Sequence, residues 1–194
     1  MIPKLIKLGV KTILKIICEK IIIKKIQIVN NNKSNRNIDE LNIKAESIIF
    51  NKIDISNISI NIKDIPLRFA FNNKRFLIDN CNAIVHIRLT IDNINKTLFN
   101  KKWNGLKTSI ESFISMSYKS IEIKNKSIYF VSSDAFCKRE IPYTLRYERN
   151  TISLVNNINQ EKLFILNDKN ITVNNLIFTQ HDIELELSSK IIFN

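Results

Sequence analysis

The segment HDIELEL, residues 181 to 187, sets three carboxylates and a histidine within seven residues. Asp182, Glu184 and Glu186 share one face of an alternating strand, and Ile183, Leu185 and Leu187 share the other. Three carboxylates at that spacing have the chemistry to hold a hard cation. A solvated outer strand face accounts for the same pattern without a ligand, and we take that reading. His86 and His181 each stand alone on a strand and read as ordinary half-buried or exposed residues rather than metal ligands. Ser132, Ser133 and Asp134 precede Phe136 and Cys137 in a loop with no base near them in sequence. Cys18, Cys81 and Cys137 are odd in number and far apart, and read as small buried apolar residues in a reducing compartment. Gly9 and Gly105 are the only glycines, which excludes the P-loop, the dinucleotide fingerprint and the nucleophile elbow. Reactive residue types are present without the spacing that would make them act together. The sequence therefore predicts no catalytic residue, no metal, no cofactor and no enzyme.

The elements that carry these residues belong to one domain. A length of 194 residues, with 44% hydrophobic and 25% charged residues, suits a single globular unit over 1–194. A net charge of +12 would ordinarily point to nucleic acid or an anionic membrane. It is discounted here, because 39 Ile, 27 Asn and 23 Lys against 7 Arg, 2 Gly and 3 Pro are what AT-rich codons yield. Its distribution still counts: residues 1–40 carry nine Lys or Arg against three acids, a net of +6 and half of the excess. Lys interrupts every amino-terminal apolar run, so neither a membrane span nor a signal-peptide core is expected. The expected location is the cytoplasm, with the option of peripheral attachment to a membrane.

Residues 1–21 are predicted to form an amphipathic helix, with Pro3 in its first turn. At 100° per residue Lys4, Lys7, Lys11 and Lys15 fall within about 80°, opposite Leu5, Ile6, Val10, Ile13, Leu14, Ile17 and Ile21. Residues 22–194 read as a sheet-forming region with further helices near 91–99 and 105–115. A strand follows Ile21 directly, residues 30–37 form a polar loop, and 41–63 alternate over a long antiparallel pair whose phase shifts near Asn57. Pro66 is expected to end that pair. Hairpins are expected about Asn125–Lys126 and Arg149–Asn150, and three or four strands near the end turn at Asp168, Asn174 and His181. The total is about nine strands and three helices, with Gly105 at the break between the last two helices.

A basic, β-rich nucleic-acid-binding domain is one alternative. Ile128 to Val131 with Tyr143 and Tyr147 would supply aromatics for stacking. However, Tyr129 and Phe130 point to opposite faces, and Glu122, Glu140 and Glu148 interrupt the basic residues, so the pattern disfavours nucleic acid. A structural scaffold for protein partners, marked by exposed apolar patches, is another.

In AIVHIRLTIDNINKTLFNKKW, residues 83–103, strand alternation gives way to helical spacing: Leu89 and Thr90 end a strand, and Ile94, Asn95 and Leu98 follow. This motif resembles that of the LmeA-like phospholipid-binding family. Asn93 stands where that family usually has Asp, and Asn100 where it often has Ser. ESIIFNKIDISNISINIKDIPLRF resembles the family's paired strands, and the closing NDKNITVNNLIFTQHDIELELSSKIIF its terminal strands, so the likeness covers most of residues 10–193.

The resemblance implies an α+β fold akin to tubular lipid-binding folds: a strongly curved antiparallel β-sheet wrapped over a few helices, with an amino-terminal amphipathic helix. It implies phospholipid or another apolar ligand in a groove between sheet and helices. Ile94 and Leu98, continued by Trp103, Leu106, Ile110 and Phe113, would then form the lipid-binding edge. Periodicity alone does not distinguish such a groove from a filled core. Lys4, Lys7, Lys11 and Lys15 form the expected membrane-surface set, each contributing on the order of 1 kcal/mol at an anionic surface. The competing expectation is that the helix's apolar face packs on the sheet and leaves the lysines in water.

Overall fold

A computed structural model describes residues 2–30, 37–70, 75–78, 81–134, 141–179 and 181–191. Helix α1 (Ile2–Ile17) leads into strand β1 (Lys20–Val29), followed by β2 (Asn37–Phe50), β3 (Ile53–Ala70), the short β4 (Arg75–Ile78) and β5 (Cys81–Thr90). Helix α2 (Ile91–Leu98), a 3₁₀ turn (Lys101–Trp103) and helix α3 (Asn104–Ile114) interrupt the strands. The second half comprises β6 (Tyr118–Lys124), β7 (Ser127–Ser132), β8 (Tyr143–Glu148), β9 (Thr151–Asn156), β10 (Lys162–Asn167), β11 (Ile171–Phe178) and β12 (Asp182–Ile191). The class is α+β, and every strand pairing among the described residues is antiparallel.

The strands form two sheets where one was expected. The first runs β1-β2-β3-β5-β12-β11, with β4 paired to the far end of β3, and the second runs β10-β9-β8-β7-β6. The division lies at α2 and α3. The chain leaves the first sheet after Thr90, builds the second by four successive neighbour pairings, and returns to pair β12 with β5. Short connections favour such neighbour pairing over insertion into a distant edge.

Long β-branched alternation explains β2 and β3, which pair from Asn37↔Pro66 to Phe50↔Ile53. Their turn is Asn51–Lys52, not a break near Asn57. Both residues have positive φ, 52° and 65°, as a two-residue turn matched to strand twist requires. Asn125 and Lys126 repeat this at 52° and 60° in the expected hairpin. In a chain this poor in glycine, Asn takes the first left-handed position of both turns, which its short polar side chain tolerates, and Lys takes the second. Pro66 does not end β3, which continues to Ala70. At that point β5 no longer flanks the strand, its register having stopped at Lys63, so the missing N–H falls on an edge. Asn174 marks a register shift within β11 rather than a turn. Twelve strands appear among the described residues against the nine expected, because long alternating runs hide their turns when glycine does not mark them.

The main core joins both sheets to the helices. Ile110 and Ile114 of α3, Leu98 of α2, Ile183 of β12 and the inner side chains of β6 to β9 pack together. An aromatic chain runs through it: Phe99 to Tyr118 (5.8 Å between ring centres), Tyr118 to Phe130 (5.0 Å) and Phe130 to Tyr143 (5.3 Å), each edge to face. Two smaller clusters support β2 and β3, one beneath α1 through Ile6, Val10 and Leu14.

Tyr118 is 1% exposed, and its hydroxyl meets no hydrogen-bond partner among the described residues. Burial, with a smaller contribution from the nearby Glu111 carboxylate, raises its pKa above the usual tyrosine value. The folded state thus holds the phenol proton where an unfolded chain releases it. The associated stability is complete below about pH 10, the unfolded value, and is lost as pH rises beyond it. Tyr118→Phe removes an unpaired polar atom and keeps the ring contacts. Urea denaturation at pH 8 should find it neutral or up to about 1 kcal/mol more stable, and its stability should fall less than the parent's between pH 8 and pH 10.5. A variant clearly less stable than the parent at pH 8 would contradict the unpaired hydroxyl.

Candidate apolar-ligand site

Helix α2 fixes the site, and local polar contacts fix α2. Thr90 caps it, accepting from the Asn93 N–H at 3.1 Å, while the Asn93 carboxamide oxygen accepts the Thr90 N–H at 3.1 Å. This is a capping box with Asn in the place usually taken by Glu or Gln. The Ile91 N–H donates to the His181 carbonyl at 3.0 Å. Toward the first sheet, Ser56 donates to Asn93, and the Thr97 hydroxyl accepts the Asp54 N–H at 3.1 Å. Toward the second, Asn95 accepts the Ile121 N–H at 2.8 Å and donates to the Ile121 carbonyl at 3.3 Å. One carboxamide therefore completes the outer edge of β6 as a neighbouring strand would. With both flanks held, Ile91, Ile94 and Leu98, at i, i+3 and i+7, face inward.

The 3₁₀ turn is held from outside. Trp103 donates its indole N–H to the Asn51 carbonyl at 3.2 Å, and the Lys102 ammonium donates to the Asn51 side chain. Helix α3 then turns Leu106 and Ile110 to the same side as Ile94 and Leu98.

These residues form one wall of a part-open cleft of about 340 Å³. The first sheet contributes Ile53, Leu89, Ile183 and Leu185, and the second contributes residues from all five of its strands, among them Phe130, Leu145, Leu154 and Ile165. Among the described residues Thr97 is the only polar one in the lining, and its hydroxyl already binds Asp54. Nothing in this lining does acid–base or nucleophilic chemistry; what the surface offers is transfer of apolar matter out of water.

Of the six residues predicted for a lipid-binding edge, Ile94, Leu98, Trp103, Leu106 and Ile110 line this cleft together. Phe113 does not. It lies nearer the carboxyl end of α3, where its ring packs 5.9 Å from that of Tyr143 and closes the core beyond the cleft. Lys4, Lys7, Lys11 and Lys15 are exposed on α1, which rests on a different part of the first sheet. The second-sheet wall was missed. Its signal, the run ISLV at 152–155 with all four residues buried, marks a strand covered on both faces but not what covers it.

The acidic strand is also only partly as expected. Glu184 and Glu186 lie within 4.0 Å of Arg88 and 3.6 Å of His86 across the β12–β5 pair, but Asp182 is buried and bound by Arg88. Asp182 opens β12 at the α2 junction, where it is nearly covered. Among the described residues no group of three or more His, Cys, Asp or Glu could hold a metal. Lys24, Lys44, His86 and Arg88 share their surface with Glu46, Glu184 and Glu186, so that face lacks the single sign that phosphate binding favours. Phe130 and Tyr143 are buried in the core and unavailable for stacking. Cys81 is buried and Cys18 half-buried, both as free thiols, and burial raises the pKa of each. Phe136 and Cys137 lie outside the described residues.

Comparison with protein-family models, curated proteins and solved structures finds no match to this chain.

Asn95→Ala leaves both polar groups of Ile121 unpaired at the α2 junction. We expect a loss of about 2–3 kcal/mol in urea denaturation, and Asn95→Asp, which sets a carboxylate oxygen against the Ile121 carbonyl, should lose at least as much. A negligible loss for either variant would contradict a clasp made through both atoms.

Proposed function

We propose that this chain is a non-enzymatic binding protein that takes an acyl chain of a phospholipid, or a ligand of like shape and polarity, into the cleft between its two sheets and its helices. The observation that carries this reading is the cleft itself: about 340 Å³ with an almost wholly apolar lining. Protein interiors are packed as densely as organic crystals, with few voids larger than a water molecule. An enclosed apolar void of this size would cost about 8 kcal/mol at about 24 cal/mol per Å³, comparable to the whole stability of a domain. The cleft is part-open, which lowers that cost but leaves apolar surface facing water, and an apolar occupant removes both penalties. Its volume is near the lower end of the range of about 300–1,000 Å³ for small-molecule sites. One slender chain suits it, with the polar headgroup left outside. The resemblance of residues 83–103 to the LmeA-like family points the same way, and inward curvature of the first sheet over the helices belongs to the same reading. The mixed charge of the outer face favours this reading over nucleic acid.

Purified protein should yield near-stoichiometric lipid on organic extraction and mass spectrometry, or take up a polarity-sensitive fatty-acyl probe once delipidated. Leu106→Trp, which fills the cleft from α3, should weaken uptake at least about tenfold while leaving the fold cooperative. Protein that carries no lipid and takes up none, or a filled variant that binds as the parent does, would overturn the proposal.

A further inference from the structure

Packing does not use up the apolar surface of α1. Ile6, Val10 and Leu14 rest on the first sheet, but Leu5, Leu8, Ile13, Ile16 and Ile17 are 61%, 62%, 58%, 76% and 51% exposed. At 100° per residue the packed residues occupy about 80°, the four lysines the next 80°, and Leu8, Leu5, Ile16 and Ile13 the following 140°. The helix is thus divided into three stripes where the sequence indicated two. One stripe is used by the fold, and an exposed apolar ridge lies beside a line of ammonium groups.

Exposed apolar side chains gathered on one ridge mark a docking surface. The charge indicates what docks there. Helix α1 carries four lysines and no acid, so a second copy laid ridge to ridge would bring eight ammonium groups together with nothing to neutralise them. An anionic bilayer meets both needs at once, with acyl chains for the ridge and phosphates for the lysines. A straight helix of about 24 Å presents both stripes along one plane.

The carboxyl end of α1 is linked to the cleft through the β2–β3 turn. Just past the helix, the Glu19 carboxylate accepts from the Lys52 ammonium and, at 3.1 Å, from the Lys52 N–H. The preceding residue, Asn51, holds Trp103 and Lys102. Ile53, which follows, lines the cleft with Trp103. One two-residue turn therefore ties the end of the ridge to the cleft.

We infer that α1 docks this protein on the surface of an anionic phospholipid bilayer, with its exposed ridge inserted and its lysines at the headgroups, and that docking brings the Ile53–Trp103 part of the cleft to the membrane. The docking rests on α1 and does not depend on the occupant of the cleft.

Flotation of the full chain with vesicles tests this. The parent should float with equimolar phosphatidylglycerol and phosphatidylcholine at low salt, and much less with phosphatidylcholine alone. The triple variant Leu5→Ser, Leu8→Ser, Ile16→Ser should bind at least about tenfold more weakly. The variant with Lys4, Lys7, Lys11 and Lys15 all changed to Gln should lose the preference for the anionic lipid. Circular dichroism melts near the parent's show that both variants fold. Trp103, the only tryptophan in the chain, should be quenched by bromine-labelled lipid in the floated protein. Absence of flotation at low salt, or equal binding by the triple variant, overturns the docking. So does a concentration-dependent dimer that the triple variant abolishes, which would assign the ridge to a second copy. Flotation without quenching overturns the placement of the cleft at the membrane. A chain that floats but takes up no lipid removes the cleft reading and keeps this one, and a chain that takes up lipid but does not float does the reverse.

Discussion

The side chain of Asn95 stands in for a strand. Its carboxamide satisfies the N–H and the carbonyl of Ile121 at the outer edge of β6, so a helix closes the edge of the second sheet where another strand would otherwise pair. Thr97 and Asn93 bind β3 from the other flank of the same helix. Held from both sides, α2 cannot rotate, and the sheets cannot close on each other without expelling it. The apolar face of α2 must point into the space it keeps open.

The composition of that space explains why the chain's own atoms leave it part-empty. Among the described residues the cleft is lined by nine Ile and seven Leu but only one Phe and one Trp. Isoleucine branches at Cβ and is stiff at χ1, so it does not swing inward to fill a gap as a longer flexible side chain would. Phe130 belongs both to the lining and to the edge-to-face chain from Phe99 to Tyr143, and the other rings of that chain lie outside the lining. The isoleucine that fills this chain supplies walls well suited to strands and poorly suited to plugging a cavity between sheets.

The sequence exposes the elements more clearly than their assembly. The helix of α1, the strand-to-helix change at Thr90, and the Asn125–Lys126 and Arg149–Asn150 hairpins are local features, set by periodicity and turn chemistry, and they appear where periodicity places them. The alternation of residues 41–63 showed a long pair but not its turn, because Asn51 and Lys52 adopt the conformation that glycine would have marked. The division into two sheets was not legible. Alternation identifies the buried face of a strand without naming its neighbour, and β6 to β10 look like further strands of one sheet until their pairing is known. The same limit applies to the site. The helical half of the cleft was visible at i, i+3 and i+7 spacing, whereas the wall from the second sheet depends on contacts between residues far apart in sequence. Asn95 stood out as part of a motif, but its partner Ile121 lies 26 residues away. On α1 a helical wheel separates lysine from apolar residues. It does not divide the apolar residues between those the sheet covers and those left in water.

Carbon-13 methyl spectra of isoleucine-labelled protein, recorded while a fatty-acyl ligand is added, test the central claim most directly. They report which methyl groups the ligand touches. Occupation of the cleft predicts saturable shifts at Ile94, Ile110, Ile152 and Ile165, which line it, while Ile38, Ile43 and Ile65 beneath α1 stay unmoved. Shifts confined to α1 and the first sheet, or none at saturating ligand, would contradict the account.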